Sequence, residues 1–269
     1  AENGITYYYV TGLVVPETVN GEVLTEIGDR QFKLFVQLTS LSISDNITNI
    51  ADYAFSSCSN IAEIIIPNNV TAIGVGAFSG CYRATRVEIN SVNSCTIGGY
   101  AFGDVGSSSS GTTLTIGTGV KTIDDAAFEG MTKLTSILYN AIECNDLPET
   151  YRLFTGAGSE NTGITLTIGN QVKRIPNYLF NNEFDANSLE INITSVVFAE
   201  TSVCESIGAH SFESLQAGGT LNIPNSVKTI ENYAFASCSF SSIIIGTGIT
   251  SIDERAFSNN SNTKVVEIN

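Results

Sequence analysis

The chain has no tryptophan, a single histidine and only 12 lysines and arginines in 269 residues. Each scarcity excludes something. Against 27 aspartates and glutamates the basic residues leave a net charge of −15, which repels phosphate backbones and anionic lipid surfaces alike. Nucleic acid is therefore not expected as a partner, nor is adsorption to a membrane. No stretch approaches the roughly 18 to 20 apolar residues of a membrane span. The opening "AENGITYYYV" lacks a basic segment followed by an apolar one. The chain is thus either cytosolic or without its targeting segment. Six cysteines occur without one C-x-x-C pair, against zinc-ribbon and thioredoxin-like readings. A chain this long and apolar has no need of a disulfide framework.

What the chain does have is repetition. "IADYAFSSC" at 50–58 returns as "IGVGAFSGC", "IDDAAFEGM", "IENYAFASC" and "IDERAFSNN". The recurring phenylalanine falls at Phe32, Phe55, Phe78, Phe102, Phe128, Phe154, Phe180, Phe212, Phe235 and Phe257. The steps between them run from 22 to 32 residues, a period that marks a solenoid. Five positions earlier stands Ile27, Ile50, Ile73, Ile97, Ile123, Ile175, Ile207, Ile230 or Ile252, with Glu149 the one departure. A coil of about 23 residues cannot bury its own Ile and Phe, so stacked neighbours must do it, with the phenylalanines as a spine. The segment around each Ala-Phe reads as one or two helical turns.

A second segment in each coil alternates apolar residues two apart. The inward pairs are Leu13/Val15, Leu41/Ile43, Ile64/Ile66, Val87/Ile89, Leu114/Ile116, Ile137/Tyr139, Leu166/Ile168, Leu189/Ile191, Leu221/Ile223, Ile243/Ile245 and Val266/Ile268. Alternation in β-branched residues, closed by Pro, Gly or Asn, predicts a short strand with one buried face. Eleven such strands stack into a parallel ladder, about 4.8 Å per step and roughly 50 Å long.

"IAEIIIPNNVTAIGVGAFSGC" (61–81) and "LNIPNSVKTIENYAFASC" (221–238) resemble the BspA-like leucine-rich repeat nearly throughout. The resemblance covers about residues 13–269, departing at Glu149 and Leu153 and in a 32-residue repeat containing "ITSVVFAETSVC". It implies a right-handed leucine-rich-repeat superhelix. It also implies a secreted or surface-anchored protein of host-associated bacteria that adheres to a host extracellular-matrix or surface protein, fibronectin-like or fibrinogen-like. The family supplies no catalytic residues and no cofactor.

The fold expected is thus a β-rich repeat solenoid of about ten repeats forming a single domain over 13–269. Residues 1–12, with "ITYYYV", read as a capping strand. The C-terminal "KVVEIN" reads as a strand with no visible cap, either self-sufficient or packed against something else.

Candidate sites meet plain structural explanations. Cys58, Cys81 and Cys238 share a slot with Val105, Met131 and Leu215, so they read as small core hydrophobes. A bridge between Cys58 and Cys81 is the lesser alternative. His210 occupies the slot of Tyr53, Tyr100, Tyr178 and Tyr233, which reads as a half-exposed stack, and no nucleophile elbow accompanies it. "GVGAFSG" has the wrong spacing for a phosphate loop. Asp124, Asp125, Asp253 and Glu254 lack the alternating oxygens of a calcium loop.

Alternation also assigns the outward strand residues. The candidate binding face is Glu63, Ile65, Arg86, Glu88, Thr115, Leu138, Thr167, Glu190, Asn222 and Ile244. Glu63 and Arg86 sit in one row on adjacent coils, giving a weak cross-strand ion pair. Glu88, Glu190 and Glu267 lie several coils apart, roughly 14 to 19 Å, too far for the carboxylate pairs of glycosidases. With no tryptophan and no outward aromatic row, carbohydrate binding has no support. The reading that follows is a non-enzymatic binder of a host macromolecule. The alternative is a spacer or stalk module of a larger envelope protein.

Overall fold

The structure, a computed structural model, describes residues 10–182 and 190–268. The segment "ITYYYV" therefore falls almost wholly outside the described residues. In chain order the first strands are β1 (Gly12–Val14), β2 (Thr18–Val19), β3 (Glu22–Val23), β4 (Glu26–Ile27), β5 (Ser40–Ser42), β6 (Asn49–Ile50), β7 (Glu63–Ile66) and β8 (Ala72–Ile73). The middle of the chain gives β9 (Arg86–Ile89), β10 (Cys95–Ile97), β11 (Thr112–Ile116), β12 (Val120–Ile123), β13 (Leu134–Tyr139), β14 (Ile164–Ile168) and β15 (Arg174–Ile175). The rest are β16 (Ile193–Phe198), β17 (Ser206–Ile207), β18 (Thr220–Ile223), β19 (Thr229–Ile230), β20 (Ser242–Ile245), β21 (Ser251–Ile252) and β22 (Val265–Ile268).

These strands sort into two parallel ladders and one hairpin. The outer ladder is the alternating one: β1–β5, then β7 through β16, then β18 through β22. Its register keeps like with like, pairing Ile64 with Val87, Val87 with Leu114, and Leu114 with Ile137. The inner ladder consists mostly of two-residue strands at the recurring isoleucine, joining Ile27, Ile50, Ile73, Ile97 and Ile123. After a gap it resumes from Ile175 to Ile252. The antiparallel β2–β3 hairpin is an insertion turning on Asn20 and Gly21, both with positive φ.

The ten phenylalanines stack in one spine. Ring centroids lie 5.0 to 5.7 Å apart with interplanar angles of 4 to 26° from Phe32 to Phe257. The expected helical turns around them are not there. Tyr53 and Ser57, two residues either side of Phe55, both have positive φ, and Tyr233 and Ser237 repeat this around Phe235. Left-handed residues four apart cannot lie in one right-handed helix. The N–H groups alternate instead. Ala54, Ser56 and Cys58 donate three residues back along their own chain, while Tyr53, Phe55 and Ser57 donate to the coil above. The segment is a column of turns stitched between coils. None of its left-handed positions holds a β-branched residue, as sterics require.

The outer ladder breaks twice, between β5 and β7 and between β16 and β18. Proline explains both breaks. The residue after β9, β13, β14, β16 and β20 donates its N–H to the preceding coil, as in Asn90 to Ile66 O at 3.0 Å, Asn140 to Ile116 O at 2.9 Å and Ala199 to Ile168 O at 2.9 Å. After β7 and β18 that residue is Pro67 and Pro224, which have no N–H to give. The Phe55–Phe78 and Phe212–Phe235 stacks, at 5.2 and 5.0 Å, carry the fold across these gaps. A Pro67→Asn variant should close the first break. The expected result is slowed hydrogen exchange at the β5 and β7 amides, and unchanged exchange there would contradict the proline argument.

The inner ladder breaks once, at the coil where Glu149 replaces isoleucine. Leu147, two residues earlier, turns inward and is buried. Its N–H reaches Asn177 O at 3.2 Å. Asp146 supplies what the missing strand does not, accepting Arg174 Nη1 at 2.5 Å and the Asn177 N–H at 2.8 Å. Partial burial raises the pKa of this carboxyl, but those two hydrogen bonds and the Arg174 charge outweigh it and hold it below the usual range.

Candidate protein-binding surface

The outward side chains of the outer ladder form one continuous face. Its central row runs Ile65, Glu88, Thr115, Leu138, Thr167, Val197 across paired strands, and continues Asn222, Ile244, Glu267 beyond the Pro224 break. The row before it runs Glu63, Arg86, Thr113, Ser136, Thr165, Ser195. Nine of the ten expected residues therefore stand where alternation placed them.

Glu190 does not. It is exposed but precedes the strand, and the ladder in that coil is β16, with Val196 and Phe198 opposite Leu166 and Ile168. The proposed pair Leu189/Ile191 loses because "ITSVVF" offers a longer β-branched run to pair with β14. Leu189 itself lies outside the described residues. Ile191 is still buried, with its N–H held by Asn182 Oδ1 at 2.8 Å. The outward residue in this coil is Val197, 44 % exposed. The signal for it was the longer apolar run within the 32-residue step.

Charge on the face is self-contained at one end. Arg86 donates to Glu88 from Nη2 at 2.7 Å and from Nε at 3.0 Å, and Glu63 lies 3.7 Å away. Hydrogen bonding to Glu88, then its charge, raises the Arg86 pKa. The Glu63–Arg86 pair expected from the row is present, and Glu88 is the stronger partner. The middle of the face is threonine and serine, interrupted by Leu138 at 37 % exposure and Val197.

The remaining candidates resolve as structure. Cys58, Cys81 and Cys238 are buried free thiols. Each Sγ points at the carbonyl of the phenylalanine one coil back, at 3.0 Å for Phe32, 3.6 Å for Phe55 and 3.1 Å for Phe212. Burial pushes the Cys58 thiol up to about 11. His210 is sandwiched between Tyr178 and Tyr233, with centroids 4.7 and 4.9 Å away, and its Nδ1 lies 2.6 Å from Glu213 Oε2. Arg255 lies 5.7 Å over the Tyr233 ring. Tyr53 stands apart from this stack under Arg30, 4.8 Å from its ring. Among the described residues no group of three His, Cys, Asp or Glu side chains could hold a metal ion, and no helix is long and apolar enough to cross a membrane.

Stacked coils of one strand, one isoleucine and one phenylalanine define a leucine-rich-repeat solenoid. The BspA type leucine rich repeat region matches this chain in six copies over residues 25–151, 106–203 and 186–269. The chain belongs to that family. Several solved structures are similar to the chain. A leucine rich cell surface protein from Faecalibacterium prausnitzii is 21 % identical, with a TM-score of 0.37, covering 92 % of this chain and 70 % of that one. A leucine-rich repeat protein from Bacteroides ovatus is 20 % identical, with a TM-score of 0.41, covering 97 % and 88 %. The pneumococcal vaccine antigen PcpA is 17 % identical, with a TM-score of 0.41, covering 96 % and 72 %. No curated protein matches the chain.

Proposed function

We propose that this protein is a non-enzymatic, surface-displayed or secreted adhesion module that binds a host macromolecule through the outward face of its outer ladder. The observation that carries the reading is the placement of Leu138 and Val197. Two exposed aliphatic side chains stand in a hydroxyl-rich row on a hydrogen-bonded sheet, where neither serves the core. Single exposed apolar residues are ordinary on a protein surface, but these two are aligned in one row of a rigid sheet, where one extended partner can meet both. An extended repeat surface suits a macromolecule better than a small substrate. A host matrix protein of the fibronectin or fibrinogen kind is the partner class that the family suggests.

The test is binding of the purified chain to immobilised matrix proteins and glycans at physiological salt, beside a Leu138→Lys/Val197→Lys variant. Both side chains face solvent, so the folding cost should stay near 0.5 kcal/mol per site or less. A circular dichroism melt checks this. Saturable binding that the variant loses is expected. Binding kept by the variant would move the site off this face. Absence of binding by either would favour the spacer alternative, in which the coils only set a length.

A further inference from the structure

The outward row has a period of its own. From β13 onward it reads Leu138, Thr167, Val197, Asn222, Ile244, aliphatic on every second coil with a hydrogen-bonding side chain between. Parallel strands lie about 4.8 Å apart, so the aliphatic points recur about every 9.6 Å along the solenoid axis. Across the Pro224 break the Phe212–Phe235 stack keeps the coils at 5.0 Å.

A segment lying along this row must present side chains at the same interval. A β-strand repeats its face every two residues, about 6.8 Å, and misses the second point. An α-helix comes back to one face after seven residues, about 10.5 Å. Its intervening turn would set side chains over Thr167 and Asn222, and its own carbonyls are already bonded. A polyproline II segment has three residues per turn at about 3.1 Å each, so one face recurs every 9.3 Å or so. Its backbone makes no internal hydrogen bonds. The carbonyls between its contact residues are free to accept from the Thr167 hydroxyl and the Asn222 amide.

Charge selects further. Glu143 and Glu200 are exposed just past the ends of β13 and β16, in the coils that carry Leu138 and Val197. Neither is in an ion pair among the described residues. The chain's net charge of −15 reinforces them, and complementary charge speeds encounter and fixes register.

We propose that the row Leu138–Thr167–Val197–Asn222–Ile244 binds a basic protein segment in polyproline II conformation with an apolar side chain at every third position. This rests on the face being the binding surface and adds what it binds.

The probe is a fluorescein-labelled peptide of five Leu-Pro-Lys triplets, read by anisotropy on the full chain at physiological salt. Its control has the same composition with the leucines shuffled off the three-residue period. A Leu138→Ser/Val197→Ser variant leaves the charge of the chain unchanged. The periodic peptide should bind at least about tenfold tighter than the shuffled one, and the variant should lose that margin. Equal binding of the two peptides, or a margin the variant keeps, overturns the proposal. If matrix proteins bind through this face while the periodic peptide shows no advantage, the conformational match fails and the adhesion reading stands. If nothing binds the face at all, both fall.

Discussion

Phe128→Ala should lower the unfolding free energy by about 3 to 5 kcal/mol, as for a large aromatic removed from a close-packed core. The ring is fully buried between Phe102 and Phe154, with centroids 5.6 and 5.0 Å away. The backbone around it is pinned. Phe128 N–H reaches Leu153 O at 2.9 Å, and Phe102 N–H reaches Ala127 O at 2.8 Å. The coils on either side therefore cannot slide together to fill the space, and the cavity persists. In a solenoid the loss is not shared out over the whole body but falls on the two interfaces that Phe128 makes. Denaturant unfolding should show an earlier, broader transition. Hydrogen exchange should speed most in the turn column around Ala101–Gly103 and Ala127–Glu129. Phe257→Ala, at the half-buried last ring of the spine, should cost clearly less. A loss under about 1 kcal/mol at Phe128 would mean that the spine collapses freely and that the strand ladders, not the rings, hold the coils.

Most of this architecture was legible because each repeated slot has one physical job. Phenylalanine every 22 to 32 residues requires a spine, and alternating apolar pairs require a half-buried strand. Both are set by burial that recurs coil after coil. What stayed hidden depended on single residues and on backbone conformation. The turn column looked helical because Ala-Phe-x-x-Cys carries no mark of the positive φ at Tyr53 and Ser57. Tyrosine at a left-handed position is not a recognised turn signal; the signal lay in the glycines that fill the same slots beside other phenylalanines, Gly76, Gly80, Gly130 and Gly156, all with positive φ. The inner ladder was hidden because two residues are too short for any alternation to register.

The binding face shows the same division. Leu138, Thr167 and Ile244 followed from period two alone, since their coils keep the common spacing. Val197 was missed because the 32-residue step allowed two strand registers, Leu189/Ile191 and Val196/Phe198. Alternation cannot rank them, but pairing length can. The two-coil aliphatic period surfaced only once Val197 replaced Glu190 in the row. Proline at 67 and 224 was read as a strand end, which is correct. Its second effect, a missing donor to the preceding coil, required the ladder to be seen.

The buried thiols carry the second large expectation, a steep loss of stability above about pH 9. Burial pushes Cys204 and Cys238 up to about 12 from an ordinary 9.0. Cys204 Sγ lies 3.5 Å from Ser206 O and Cys238 Sγ lies 3.1 Å from Phe212 O. Backbone hydrogen bonds at Ser206 for Cys204, and at Leu215 and Ser214 for Cys238, pull the other way, but burial outweighs them. A folded-state pKa raised above the unfolded value gives stability that is complete below pH 9 and is lost as pH climbs toward the folded value near 12. A three-unit shift corresponds to about 4 kcal/mol per group over the full window, so unfolding should intervene before the thiols ionise in place. Melting temperatures should hold level from neutral pH to about 9 and then fall sharply. Lysine deprotonation and the growing negative charge also act in this range, so the comparison that decides is a Cys204→Ala/Cys238→Ala variant. It starts less stable but should lose stability more slowly with pH. Parallel curves for the two proteins would show that these thiols ionise as readily in the fold as outside it, and that the two places they occupy are open to water.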